Sequence, residues 1–175
     1  MNVDQGFQKD LPASMKFRKT NPRFGYLVVL IALCLGVAGI ASMVTIPAVL
    51  GWYKDLAHPS FTPPDGIFGP VWTVLYVMMA LAAWRAWGRD QYQWDSSCIR
   101  LFLIQLALNF AWSFMFFKFH LIGAAAIEIV ILEIAIIVTT VAFLMRDRIA
   151  GLLMVPYVLW VAFASALNIG FWRLN

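Results

Sequence analysis

Five apolar stretches, residues 25–46, 67–84, 101–117, 121–145 and 149–172, dominate this chain of 175 residues. Each approaches or exceeds the roughly 18 to 20 residues needed to cross a hydrocarbon core about 30 Å thick. Backbone groups facing lipid must be satisfied within their own segment, and none of the stretches shows the ten-residue alternation of a transmembrane barrel strand. The expected fold class is therefore an all-α integral membrane protein, a bundle of five transmembrane helices. Composition agrees, with 62% hydrophobic and only 13% charged residues, against about a quarter charged in a soluble domain.

The first stretch follows Lys16, Arg18, Lys19 and Arg23, like the basic start of a signal peptide, but its length exceeds the usual 7 to 15 apolar residues. It is expected to stay as a membrane anchor. Residues 1–24 read as a mobile or membrane-surface tail, and 25–173 as the transmembrane domain. Lysine and arginine distribution sets the expected orientation. Ten fall in the tail, the 85–100 connector and the 146–148 turn, whereas Lys54, Lys118 and Arg173 make three at the other end. In a bacterial inner membrane this places the N-terminus in the cytoplasm and the 51–67 loop on the outer face. The net charge of +4 is thus mainly a topology signal and makes no case for nucleic acid.

The chain carries no Walker loop, dinucleotide fingerprint, nucleophile elbow or paired Cys/His set, so no catalytic residue and no metal or required cofactor is assigned. Cys34 and Cys98 lie in different regions and form no disulfide framework. His58 and His120 read as interfacial side chains at one membrane face. Glu128 and Glu133 are ionisable groups at membrane depth, about 140° apart around a helix and so not one paired site; Gln105 or Asn109 are candidate partners.

A second pattern is carried by helix faces. Trp72, Tyr76, Met79 and Ala83 share one face of the second stretch, Gln105, Asn109 and Trp112 one face of the third, and Tyr157, Trp160, Ala164 and Asn168 one face of the fifth. Ring faces with sparse amides suit an internal pocket for a flat, mostly apolar ligand, and equally suit an aromatic belt with amides binding helices together. Trp87, Trp94 and Trp172, at span ends, fit the belt. Small residues spaced four apart (Ala32 and Gly36, Ala107 and Ala111, Ala162, Ala166 and Gly170) serve either the bundle interior or a dimer seam. Between the first two spans, "HPSFTPPDGIFGPVW" contains Pro59, Pro63, Pro64 and Pro70. These restrict the loop's accessible shapes, and with Trp52, Tyr53, Phe61 and Phe68 they suggest a lid folded over the helix ends.

The runs "GWYKDLAHPSFTPPDGIFGPVWTVLY", "QLALNFAW" and "PYVLWVAFASALN", closed by Trp172 and Arg173, resemble the tryptophan-rich sensory protein and translocator protein family, TspO/MBR, over about 25–173. The resemblance implies a five-helix homodimer in a lipid bilayer, with a pocket toward the first loop. As ligands it implies porphyrins (protoporphyrin IX or haem) and benzodiazepine-site compounds, with a role in tetrapyrrole transport or stress regulation. Light-dependent porphyrin degradation assisted by a tryptophan, or a regulatory partner role without transport, are the alternatives. By position, the pocket residues would be Trp52, Trp72, Tyr76, Asn109, Trp112, Tyr157, Trp160, Ala164 and Asn168. Two departures stand out. Asp65 and Gly66 follow the double proline where many relatives have a tryptophan, and no tyrosine precedes Arg173 as a sterol-recognition pattern requires, which speaks against cholesterol.

Overall fold

The computed structural model describes residues 22–175. The proposed surface tail falls almost wholly outside the described residues, and the first helix begins at Pro22, ahead of the expected start. Proline suits that position because its missing N–H has no intrahelical partner there. Five long helices follow: α1 (Pro22–Leu50), α2 (Phe68–Arg89), α3 (Ser97–Ser113), α4 (Ile122–Arg146) and α5 (Arg148–Leu174). A π-helical turn, Phe114–Lys118, continues α3 and brings this span to 22 residues, so the shortest apolar run still crosses a membrane. All five helices are long and apolar enough to span one.

Around the bundle the order is α1, α2, α5, α4, α3, and α3 with its π turn returns to α1. Outward faces are aliphatic, as at Ile127, Ile131 and Ile134 of α4, where lipid replaces water as the neighbour. Because lipid is as apolar as these side chains, close packing and interhelical hydrogen bonds hold such a bundle together. Gly151 shows how close the packing is: a Cβ there would lie 2.1 Å from Leu144 Cγ. Of the small residues spaced four apart, Ala32, Gly36, Ala107, Ala162 and Ala166 are exposed rather than interior, and Ala111 and Gly170 are half-buried. Trp87 departs from the belt reading. It is only 2% exposed, donates from Nε1 to Gln93 O at 2.7 Å and packs edge-on against Tyr26 and Tyr92. Trp94 and Trp172 are exposed at their span ends.

At the arginine-rich end, the turn between α4 and α5 consists of Asp147. Its side chain caps α5 by accepting from Ala150 N at 3.0 Å. It also accepts from Arg85 Nε and Nη2 at 3.1 and 3.0 Å and from Arg89 Nη2 at 2.7 Å. One carboxylate thereby joins α2 to the α4–α5 turn, with its side chain 3% exposed. Burial pushes its carboxyl up, but the Arg85 and Arg89 hydrogen bonds and the Ala150 N–H outweigh this and hold it well below the usual range. Beside it, burial likewise raises the Asp90 carboxyl, while the Ser96 hydroxyl and Arg146 bring the balance below the ordinary value.

Asp147→Ala removes a helix cap and leaves two guanidiniums without their shared acceptor. We expect a loss of about 2 kcal/mol, with Asp147→Asn recovering about 1 kcal/mol because an amide oxygen still caps. Since the folded carboxyl is depressed, its contribution is present above the ordinary aspartate value of about 3.9 and is lost as pH falls below it. Thermal melts of detergent-solubilised protein at pH 7 and pH 3 check this: the difference between wild type and Asp147→Asn narrows at the lower pH.

Candidate functional site

At the opposite end of the bundle the chain from Gly51 to Ile67 forms a cover. Two short 3₁₀ turns, Trp52–Asp55 and Asp65–Ile67, bracket an extended segment that is fastened to the end of α5. Ala57 N donates to Asn175 Oδ1 at 2.9 Å, and Asn175 Nδ2 donates to Ala57 O at 3.1 Å. Pro59 is buried against Gly170, where a Cβ would come 2.7 Å from Pro59 Cγ. Tyr53 is buried among Phe116, Phe117 and Phe171, and His58 Nε2 lies 3.1 Å from Tyr53 O. The proline-rich loop is therefore a folded lid, held by a reciprocal hydrogen-bonded pair and by aromatic packing.

Beneath the lid lies a cavity of about 510 Å³ enclosed by α1, α2, α3 with its π turn, and α5. Of the site residues expected from the sequence, Trp72, Tyr76, Asn109, Trp112, Trp160, Ala164 and Asn168 line it. Trp52 and Tyr157 do not. The Trp52 ring stacks on His120 with centroids 3.9 Å apart, at the junction of lid and π turn, and His120 holds a left-handed φ of 56°. Tyr157 occupies the layer below. Its hydroxyl accepts from Asn109 Nδ2 at 3.0 Å and donates to Gln105 Oε1 at 3.1 Å.

A polar floor results. Tyr76 donates to Asn109 Oδ1 at 2.5 Å, so α2, α3 and α5 meet at one amide. Higher up, Trp112 Nε1 donates to Asn168 Oδ1, and Asn168 Nδ2 donates to Ile122 O, each at 3.0 Å. Both asparagines thus serve first to bind helices. An amide has two donors and two acceptor lone pairs, so each retains capacity toward a ligand. Trp160 Nε1 is buried with no hydrogen-bond partner among the described residues; its ring packs against the buried core and meets Phe68 edge-on at 5.9 Å and Phe163 at 5.7 Å.

Several wall residues are missing from the sequence-derived set. Besides Leu35, Ile46, Val49 and Leu50, α1 supplies Ala38, Ala41, Ser42 and Thr45, small side chains whose hydroxyls bond within their own helix, Ser42 to Gly39 O and Thr45 to Ala41 O. Their small size, not aromatic character, makes room for the cavity. Phe116 enters through the π turn and stacks on Trp112 at 5.4 Å; Tyr53 and Asp65 enter from the lid. Elsewhere, Glu128 Oε1 and Oε2 and Glu133 Oε2 are buried without hydrogen-bond partners among the described residues, and neither glutamate pairs with Gln105 or Asn109, whose amides are engaged in the floor. No cluster of three or more metal-ligating side chains is present among the described residues.

Comparison with known proteins adds an independent line. The model of the TspO/MBR family matches residues 28–173. "Tryptophan-rich protein TspO" of Archaeoglobus fulgidus is 40% identical over 147 residues, covering 84% of this chain and 94% of that protein. The protein of the same name from Chlorobaculum tepidum is 41% identical over 154 residues, covering 85% and 95%. The human "Translocator protein" is 36% identical over 128 residues, covering 72% and 76%.

Gly170→Ala tests how the lid is seated. The added methyl has no room against Pro59, so the lid must shift, and overpacking of this kind costs about 1–3 kcal/mol. Hydrogen–deuterium exchange should show amides of the lid exchanging at least about tenfold faster, the factor that corresponds to 1.4 kcal/mol, with the central turns of α2 to α5 unchanged.

Proposed function

This chain belongs to the TspO/MBR family of membrane proteins, and from that premise we propose that it is a receptor or carrier that takes a porphyrin into the cavity beneath its lid. The observation that carries the reading is the convergence of rings from separate helices: Trp72 and Tyr76 of α2, Trp112 of α3 and Trp160 of α5 bound one hollow. Flat, delocalised ligands gain about 0.5 to 1.5 kcal/mol per well-placed ring contact beyond the burial of area. Apolar walls with few hydrogen-bonding groups favour a ligand that is largely hydrocarbon and polar only at its edge. Trp160 Nε1, the buried donor left over, suits an acceptor on such an edge. Access from one membrane face, past a lid, accords with capture or hand-over of a ligand and requires no bond-making residue. By the same family membership, the working unit is proposed to be a homodimer.

Protoporphyrin IX titrated into detergent-solubilised protein, followed by its absorbance shift and by quenching of protein fluorescence, tests the reading. Trp160→Ala and Trp72→Ala should each weaken binding about tenfold, from a lost ring contact together with lost burial. Trp94→Ala, an exposed ring outside the cavity, should leave affinity unchanged. Unaltered affinity in both cavity variants would reject the site.

A further inference from the structure

The cavity is uneven in charge. Of the described residues that line it, Asp65 alone carries a charge at neutral pH; no lysine, arginine or histidine contributes to the wall. Lys54, Lys118 and Arg173 stand at the same end of the bundle but outside that lining. Among the described residues Asp65 has no salt bridge and no side-chain hydrogen bond. Its position is fixed all the same. Pro63 and Pro64 precede it, it opens the 3₁₀ turn Asp65–Ile67, and Ile67 N bonds Pro64 O across that turn at 3.0 Å. The carboxylate also lies just ahead of the first turn of α2, whose unpaired N–H groups favour a negative charge. Its field reaches the other lid residue of the lining: burial first, and the Asp65 carboxylate after it, push the Tyr53 hydroxyl up to about 12.

We propose that Asp65 is a specificity-determining residue, a charge filter at the mouth of the cavity that favours planar ligands with a neutral or cationic edge over those presenting carboxylates. The inference rests on the porphyrin reading and narrows it. A tetrapyrrole bearing two free acids must hold them away from Asp65 to enter, since a like charge near a low-dielectric wall is repelled more strongly than in water. An esterified or otherwise neutral edge escapes that repulsion, and a cationic edge is attracted. Asp65 is well exposed, so salt weakens the filter by screening.

Three probes of one ring class separate charge from shape: protoporphyrin IX, its dimethyl ester, and a tetracationic N-methylpyridyl porphyrin. Dissociation constants are measured for wild type, Asp65→Asn and Asp65→Glu in the same detergent at low and high salt. Because the ester also partitions more strongly into detergent, the readout is the ester-to-diacid affinity ratio compared between variants. Asp65→Asn should lower that ratio about fivefold and weaken the cationic probe by a similar factor, with both effects shrinking at high salt. Asp65→Glu, which keeps the charge, should behave as wild type, a rescue that a purely structural role at the start of α2 would not predict for ligand charge. Identical ratios in wild type and Asp65→Asn, with all probes still bound, overturn the filter and leave the porphyrin site standing. Failure of every probe to bind wild type overturns both.

Discussion

An amide buried at mid-bundle must find partners or destabilise the fold by the full desolvation of its polar atoms. Asn109 finds them on two other helices, accepting from Tyr76 and donating to Tyr157, and Tyr157 passes the obligation to Gln105. In lipid the hydrophobic effect does not bring helices together, so directional contacts of this kind set their register. Fixing α2, α3 and α5 at one level points Trp72, Trp112 and Trp160 into the same volume above it. The cavity is a consequence of that floor: above the shared amide the helices present large rings on three sides and small residues on the α1 side, and they cannot close.

The spans and their inward faces were legible in the sequence because their causes are local. Apolar length follows from bilayer thickness, and the 3.6-residue period places Trp72 with Tyr76 and Trp160 with Ala164 and Asn168. The arrest of the loop by Pro59, Pro63 and Pro64 was legible for the same reason. What escaped depended on partners outside the residue's own helix. Trp87 reads as a belt residue from its position at a span end, yet the turn at Gln91 and Tyr92, with φ of 53° and 60°, folds Gln93 back beneath it to accept from its indole. Trp52 is expected in the pocket from the resemblance alone, but its ring stacks on His120 at the junction of lid and π turn. The α1 wall escaped because alanine and serine carry no periodic signal of their own; only the rings opposite give them meaning.

The two ends of the bundle are built differently. At the arginine-rich end, Asp147 and Asp90 bind α2, the 90–96 connector and the α4–α5 turn by charge-assisted hydrogen bonds, which are short and directional. The lid end relies on the Ala57–Asn175 pair, on the packing of Pro59 against Gly170 and on clustered rings. Opening the lid therefore breaks neutral hydrogen bonds and dispersive contacts, while separating the opposite end would strip the buried Asp147 carboxylate of its half-exposed arginine partners. The cavity lies at the end that is held by neutral contacts.

Within the cavity wall, compliance is also uneven. Three walls are tied to one another by Asn109 and Asn168, so a ligand that pushes on them works against hydrogen bonds. Through its middle turns α1 has no such tie among the described residues; its hydroxyls are spent within the helix, and its described cross-bond lies at the far end, from Trp84 to Arg23 O at 2.6 Å. Its chain continues directly into the lid at Gly51, whose N–H still bonds Pro47 O and Ala48 O at 3.2 Å. A shift of α1 is thus passed directly to the first turn of the lid, whose middle is fastened to α5. The rings are thus positioned by three helices tied through amides, and they face an α1 wall that meets them by packing alone through its middle turns.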